Sequence, residues 1–210
     1  MSVCFHSRHR RTLACRRLWA DDGAAQIVEF ALSLPLLVLF VVGIYDFSGA
    51  LALKQKLTNA AREGARLAAA DPANDLSGFL HAMPVSVNDT FQVVDNYLAS
   101  EKINDCGLIS SPPVSTVALT WTFTNQLNGC PAPGITLTVN RGYYFPQGTI
   151  PSSVNCSSTS VTSAQTAVVG TCVSLQYPYQ WRFGGVSGLF GGTFLGPTTI
   201  TSTAVAFNQN

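Results

Sequence analysis

One stretch of the sequence limits the possible folds more than any other. Residues 24–53 carry only two charged side chains, Glu29 and Asp46, and residues 30–45 carry none. A helix of about 20 apolar residues spans the hydrocarbon core of a bilayer, which is roughly 30 Å thick. The stretch therefore predicts a transmembrane helix, and helices of this kind tolerate an internal residue such as Pro35.

Two other interpretations of this stretch stay open. The pattern Ala50-Leu51-Ala52 has the A-x-A form of a signal peptidase site, which would release a secreted protein. Against this, the apolar run is longer than the roughly 7–15 residues of a signal peptide core. A buried helix of a soluble domain would also be apolar all round, but such a helix has no need of a basic leader.

The flanks of the stretch predict its orientation. Residues 1–23 form a basic leader with five arginines, and basic residues favour the cytoplasmic side. Lys54, Lys56, Arg62 and Arg66 follow the stretch, so this bias alone is weak. The remainder of the chain contains four cysteines and few charges, and both features suit a domain outside the cytoplasm. We expect a single-pass membrane protein with the N-terminus inside and the C-terminal domain outside.

The helix is expected to continue beyond the membrane. The sequence "LKQKLTNAAREGARLAAADP" is rich in good helix formers and ends at Pro72. We therefore assign residues 24–71 to one transmembrane and projecting helix, roughly 70 Å long at about 1.5 Å per residue. Ala61, Ala65 and Ala69 recur every four residues and would admit another backbone closely, although helix-favouring filler explains them as well.

The remaining residues, 72–210, are predicted to form a β-rich extracytoplasmic domain. Residues 72–90 are expected to be a loop, and "TFQVVDNYLASEKI" to be a short amphipathic helix. Beyond it the hydrophobic period changes to two, in "TVALTWTF", "ITLTV", "VSLQY" and "TTITSTAV", which is typical of an antiparallel sheet with one buried face. The predicted fold class is α+β.

Four cysteines of this domain indicate disulfides. Cys106, Cys130, Cys156 and Cys172 form an even set in a domain expected to be exported, and their spacing contains no C-x-x-C zinc signature. Three pairings are possible. Pairing neighbours along the chain, Cys106 with Cys130 and Cys156 with Cys172, closes the shorter loops and is favoured over the others and over four buried thiols.

The sequence favours neither a catalytic function nor nucleic-acid binding. The net charge of +1 provides no field that would attract nucleic acid. The domain has one histidine, His81, and lacks the common nucleophile, zinc and phosphate-loop motifs, so neither an enzyme nor a cofactor or metal is expected. Aromatic residues on strands are more often part of the core than of a ligand-binding surface. Six of them could form either, with a ligand surface centred on "QYPYQWRF": Trp121, Tyr143, Tyr144, Tyr177, Tyr179 and Trp181.

Two motifs together carry a family resemblance. "GAAQIVEFALSLPLLVLFVVGIYDFSGAL" followed by "KQKLTNAAREGARLAAA" closely resembles the TadE-like family of the bacterial tight-adherence (Tad, or Flp) pilus system, over about residues 23–70. The resemblance implies a minor pilin or pseudopilin that is held in the membrane until assembly proteins load it into, or onto, a pilus. Its implied partners are membrane lipid, a prepilin peptidase, other pilin-like subunits and Tad assembly proteins.

The resemblance also implies roles for four residues. A prepilin peptidase would cut after Gly23 or after Ala24, which makes Glu29 the sixth or the fifth residue of the mature chain, followed by Phe30. The new amine of one subunit would then reach Glu29 of its neighbour and set the register between them, unless Glu29 only snorkels to the headgroup boundary. The alternative function is a signal-anchored protein whose β domain binds a ligand and has no pilus role.

Overall fold

The computed structural model describes residues 22–76, 83–117, 119–145, 154–157, 168–182 and 198–209. Residues 1–21 of the basic leader, His81 and the glycine-rich stretch 184–192 lie outside these residues. The chain divides into two compact units, Met1–Phe47 and Ser48–Asn210. We call residues 25–47 the anchor segment and residues 48–210 the head domain.

Two α-helices precede the sheet. Helix α1, Asp22–Ala70, is close to the predicted range and crosses the boundary between the two units. We call its residues 48–70 the head segment, because they pack with the head domain. Helix α2, Val85–Ser100, starts five residues before the predicted "TFQVVDNYLASEKI" and so shortens the predicted loop. Pro84 stands just before its first turn, where the fixed φ of proline suits a helix start.

Five antiparallel strands form one sheet in the order β1-β2-β3-β4-β5. The strands are β1 Val114–Val117, β2 Thr120–Asn125, β3 Ile135–Phe145, β4 Val168–Pro178 and β5 Thr199–Phe207. Short 3₁₀ helices occupy Ala73–Leu76 and Leu108–Ser110. A long N-terminal apolar helix, a short helix and an antiparallel sheet confirm the predicted α+β class.

The alternation in "TVALTWTF" predicted a single strand, and this prediction was wrong. The stretch contributes Val117 to the end of β1 and Thr120 to the start of β2, and these two residues pair across a tight turn. Leu119 makes the turn with a left-handed φ of 57°, a conformation that favours glycine or asparagine. Because a leucine fills that position, the sequence has no turn signal where the chain reverses.

Both helices lie on one face of the sheet, and the core forms between them. The buried face of α2 includes Val87, Phe91, Val94 and Leu98. Phe91 stacks on Phe123 of β2 with ring centroids 4.7 Å apart. The core residues of the sheet alternate along their strands, as the period-two pattern predicted: Trp121, Phe123, Ile135, Leu137, Val139, Val173, Leu175 and Ile200.

The head segment of α1 runs alongside β5, in the same direction. Lys54 donates from Nζ to the carbonyl oxygen of Thr201, and the hydroxyl groups of Thr58 and Ser202 are 3.1 Å apart. Near the end of both elements, the backbone N–H of Gln209 donates to the carbonyl oxygen of Ala69 at 3.1 Å. The contacts therefore advance in the same order along both elements.

Candidate functional site

The anchor segment exposes nearly all of its large apolar side chains. Among them, Ile27 is 71% exposed and Phe40 is 61% exposed. The full set is Ile27, Val28, Phe30, Leu32, Leu34, Leu36, Leu37, Val38, Leu39, Phe40, Val41, Ile44, Tyr45 and Phe47. An apolar surface of this kind marks a contact with lipid or protein. The helix is long and apolar enough to cross a membrane.

Glu29 and Phe30 lie together near the start of this segment, and both are exposed. Gly23 and Ala24, which flank the predicted cleavage site, lie in the first turns of α1. Pro35 lies inside the helix and has no N–H to donate to the preceding turn. The hydroxyl group of Ser33 donates to the carbonyl oxygen of Phe30 at 3.2 Å, so a polar side chain in this turn stays within the helix.

The head segment differs from the anchor segment, because its apolar face is buried and consists mainly of small residues. Leu57, Ala60, Ala61 and Ala68 are fully buried, and Ala65 is 1% exposed. All of these residues except Ala68 belong to the same core as α2 and the sheet. The small residues that predicted close approach of another backbone, Ala61 and Ala65 among them, therefore pack against the head domain of their own chain.

Helix α2 packs closely against α1 at Gly64. A Cβ atom at this position would lie 2.9 Å from Cγ2 of Val94 and 3.4 Å from Cγ2 of Thr90. Both neighbours are fully buried, so neither side chain has space to move away. Gly43, in the anchor segment, has nothing within 4 Å of the same position.

Arg141 of β3 binds the end of α1. Its side chain is 1% exposed, and Nη2 donates to the carbonyl oxygens of Asp71 at 3.0 Å and Pro72 at 3.5 Å. Nη1 donates to Oγ1 of Thr171 at 3.3 Å. A cation is favourable near a helix C-terminus, where carbonyl groups lack partners, and the last turn of α1 has no basic residue of its own.

Two disulfides cross-link the head domain, Cys106–Cys130 and Cys156–Cys172, each with Cα atoms 5.4 Å apart. This is the pairing that the shorter loops favoured. The first joins the segment after α2 to the β2–β3 connection. The second joins the connection after β3 to the sheet face opposite the helices, where Asn140 donates to the carbonyl oxygen of Cys156 at 2.8 Å.

The six aromatic candidates do not form one ligand surface. Trp121 and Tyr143 are buried, at 6% and 5% exposure. Tyr177 donates to the carbonyl oxygen of Asn104 at 3.0 Å, and burial, with a smaller contribution from Asp105, raises the pKa of its hydroxyl group. Tyr179 and Trp181 remain as a half-buried pair in edge-to-face contact, with ring centroids 5.0 Å apart.

Two acidic residues of the head domain, Asp95 and Asp105, interact electrostatically. Asp95 is 9% exposed on α2, and burial, with a smaller contribution from Asp105, raises the pKa of its carboxyl group. Its Oδ1 atom has no hydrogen-bond partner. Asp105 accepts from the backbone N–H of Gly107 at 3.1 Å. Within the described residues, no three histidine, cysteine or acidic side chains group as metal ligands would.

An exposed transmembrane-length helix joined to a disulfide-linked α+β head domain defines a membrane-anchored protein. Residues 24–66 match the family model described as TadE-like protein. No curated protein and no solved structure matches the chain. The match and the anchor together fit a membrane-anchored protein associated with a Tad pilus.

Proposed function

We propose that the protein is a minor pilin or pseudopilin of a Tad pilus. The observation that carries this proposal is the extent of the family match, which starts at residue 24 and ends at residue 66. It therefore begins at the predicted leader cleavage site. It includes both the exposed anchor segment and the small residues of the head segment that are buried in the core.

Leader removal is the first step of the proposed role. A prepilin peptidase would cut after Gly23 or Ala24 and leave a chain that begins at Ala24 or Ala25. The N-terminus would face the cytoplasm before cleavage, and the head domain would lie outside the membrane. Helix α1 passes unbroken through Ala50-Leu51-Ala52, and Ala50 and Leu53 pack against the head core. This continuity supports an anchor that stays attached to its head domain.

Glu29 would then set the register between subunits. A carboxylate at the centre of a bilayer costs about 2.5–3.5 kcal/mol on insertion scales, and less near the edge. Pairing with the new amine of a neighbouring subunit would offset that cost and fix the axial position of one helix against the next. Glu29 is exposed on α1, so its side chain is accessible to a neighbour.

The test of the register role is Glu29→Ala, with Glu63→Ala as the matched control. Glu63 is a second exposed glutamate of α1, and its carboxylate lies 3.7 Å from Arg66, in a surface pair worth little. We expect Glu29→Ala to remain in the membrane after carbonate extraction but to disappear from the sheared pilus fraction. Glu63→Ala should remain in both. Normal incorporation of Glu29→Ala would overturn the pairing.

The mass of the purified membrane form tests the wider proposal. A chain that begins at Ala24 or Ala25 is the expected product of a prepilin peptidase. A chain that begins at Met1 would instead indicate a signal-anchored protein with no pilus role. A start at Leu53 would indicate a secreted protein released by a signal peptidase, and either of these results would contradict a processed pilin.

A further inference from the structure

The aromatic pair Tyr179–Trp181 lies beside the first turn of the head segment. The hydroxyl oxygen of Tyr179 is 3.4 Å from the position that a Cβ atom of Gly49 would occupy. The backbone N–H of Tyr179 donates to the carbonyl oxygen of Thr198 at 2.8 Å, so both ends of the β4–β5 connection are fixed at this point. The pair is therefore held next to α1 just where the head domain begins.

This position coincides with the end of the apolar run. Leu51 is still 49% exposed, and Lys54 is the first cation after the run. Gly49 precedes Lys54 by five residues, which is about 7.5 Å along a helix. The headgroup layer on each side of a bilayer is roughly 5–8 Å thick. Tyr179 therefore contacts α1 close to the residue where the apolar run of the sequence ends.

The chemistry of the pair suits that depth. Tyrosine and tryptophan have an apolar body and a polar tip, and they are enriched where membrane meets water. Both rings are half-buried, so they are neither core residues nor fully in solvent. The next residue, Arg182, is exposed and carries a positive charge, and basic residues next to a membrane surface favour anionic lipid.

We propose that Tyr179, Trp181 and Arg182 form a lipid-interface site that holds the head domain against phospholipid headgroups at the outer surface of the membrane. The proposal rests on membrane anchoring by α1 but not on a role in a pilus. The occupant is lipid rather than a soluble ligand, because Tyr179 contacts α1 at Gly49, which lies within a few residues of the end of the apolar run.

Trp181 fluorescence tests the proposal directly. The full chain contains three tryptophans, Trp19, Trp121 and Trp181. The test protein carries Trp19→Phe, and its matched control carries Trp19→Phe with Trp181→Phe, so that only the buried Trp121 emits in the control. Both are reconstituted in vesicles of phosphatidylcholine and phosphatidylglycerol whose acyl chains are brominated either near the headgroup or near the chain end.

We expect brominated lipid to quench the emission that Trp181 contributes, and bromine near the headgroup to quench it more than bromine near the chain end. The control should not be quenched. Equal quenching of the two proteins, or quenching of Trp181 by aqueous acrylamide but not by lipid, would overturn the lipid site. Carbonate extraction of the same samples keeps the two proposals distinct, because loss of the whole chain from the membrane would contradict the anchor itself.

Discussion

The anchor segment and the head segment belong to one helix but follow opposite packing rules. Ile27 and Leu37 of the anchor segment are more than half exposed, whereas Ala60 and Ala61 of the head segment are fully buried. Large apolar residues therefore face outward in one half, and small residues face inward in the other. The comparison shows that apolar content alone does not identify the core of this chain, since its most apolar stretch lies outside the core.

The difference follows from what surrounds each half. A helix in lipid satisfies its own backbone hydrogen bonds and needs apolar side chains on every face. A helix on a sheet needs one face that lets its neighbours approach, and Gly64 provides this for α2. The family match covers residues 24–66, so it includes the anchor segment and most of the head segment.

The largest effect is expected from Arg141→Ala, at the end of the head segment. The substitution leaves a cavity and removes charged hydrogen bonds to the carbonyl groups that follow α1. We expect it to lower the free energy of unfolding by about 3–5 kcal/mol, measured by urea denaturation in detergent. The exposed Arg62→Ala serves as control and should change it by less than about 0.5 kcal/mol. Equal losses in both variants would show that binding of the helix end by Arg141 is unimportant.

A matched pair of glycine substitutions tests the comparison itself. Replacing Gly64 or Gly43 by valine raises the intrinsic helix propensity by a similar amount. Only at Gly64 would the new Cβ atom meet a neighbour, Cγ2 of Val94 at 2.9 Å. We expect Gly64→Val to destabilise the head domain by about 1–3 kcal/mol through overpacking. The transition is followed by the fluorescence of the buried Trp121 in proteins that also carry Trp19→Phe and Trp181→Phe. Gly43→Val should leave that transition unchanged. If the two variants behaved alike, the two halves of α1 would not differ in packing.

The smallest effect is expected from pH acting on the head domain through Asp95. Because burial in the folded state raises the pKa of this carboxyl group above its ordinary value of 3.8, folding favours the protonated form. Its contribution to stability is therefore fully present below that pH and is lost as the pH rises through the raised pKa. We expect Asp95→Asn to raise the melting temperature at pH 7 and to have less effect at pH 3.

The control for this pH experiment is Asp89→Asn, which removes a negative charge from the same helix at a half-buried position. The gain from Asp95→Asn should exceed that from Asp89→Asn at pH 7. Parallel pH profiles for the wild-type protein and Asp95→Asn would contradict the role assigned to burial of the carboxyl group.

Features with a local cause were predictable from the sequence. The nearly uncharged run before Leu53 and the proline at position 72 predicted the extent of α1 closely. Strict alternation of apolar and polar residues predicted the positions of β3 and β4. Alternation gave no sign of the turn at Leu119, because a leucine adopts the left-handed conformation there. Local patterns marked a short helix before the sheet but placed its start at Thr90 instead of Val85.

Features that join distant residues were not predictable in the same way. Arg141 contacts the carbonyl group of Asp71 across 70 positions of sequence, a separation that no local pattern covers. Gly64 read as one small residue among several, because its partner Val94 lies on another helix. The register role of Glu29 and the cleavage site remain predictions, since both depend on other proteins.

The shared direction of α1 and β5 limits how heads can join side by side. Within the described residues, β5 has no strand on its outer side. If two copies paired these edges antiparallel, one copy would be turned end over end, and their helices would enter the paired heads from opposite sides. Copies that stand upright in one membrane must instead meet β5 with a parallel strand. Strand β1 points in the same direction as β5, so β5 of one copy could pair with β1 of the next. Such pairing would continue from copy to copy in one direction and would not close as a symmetric dimer.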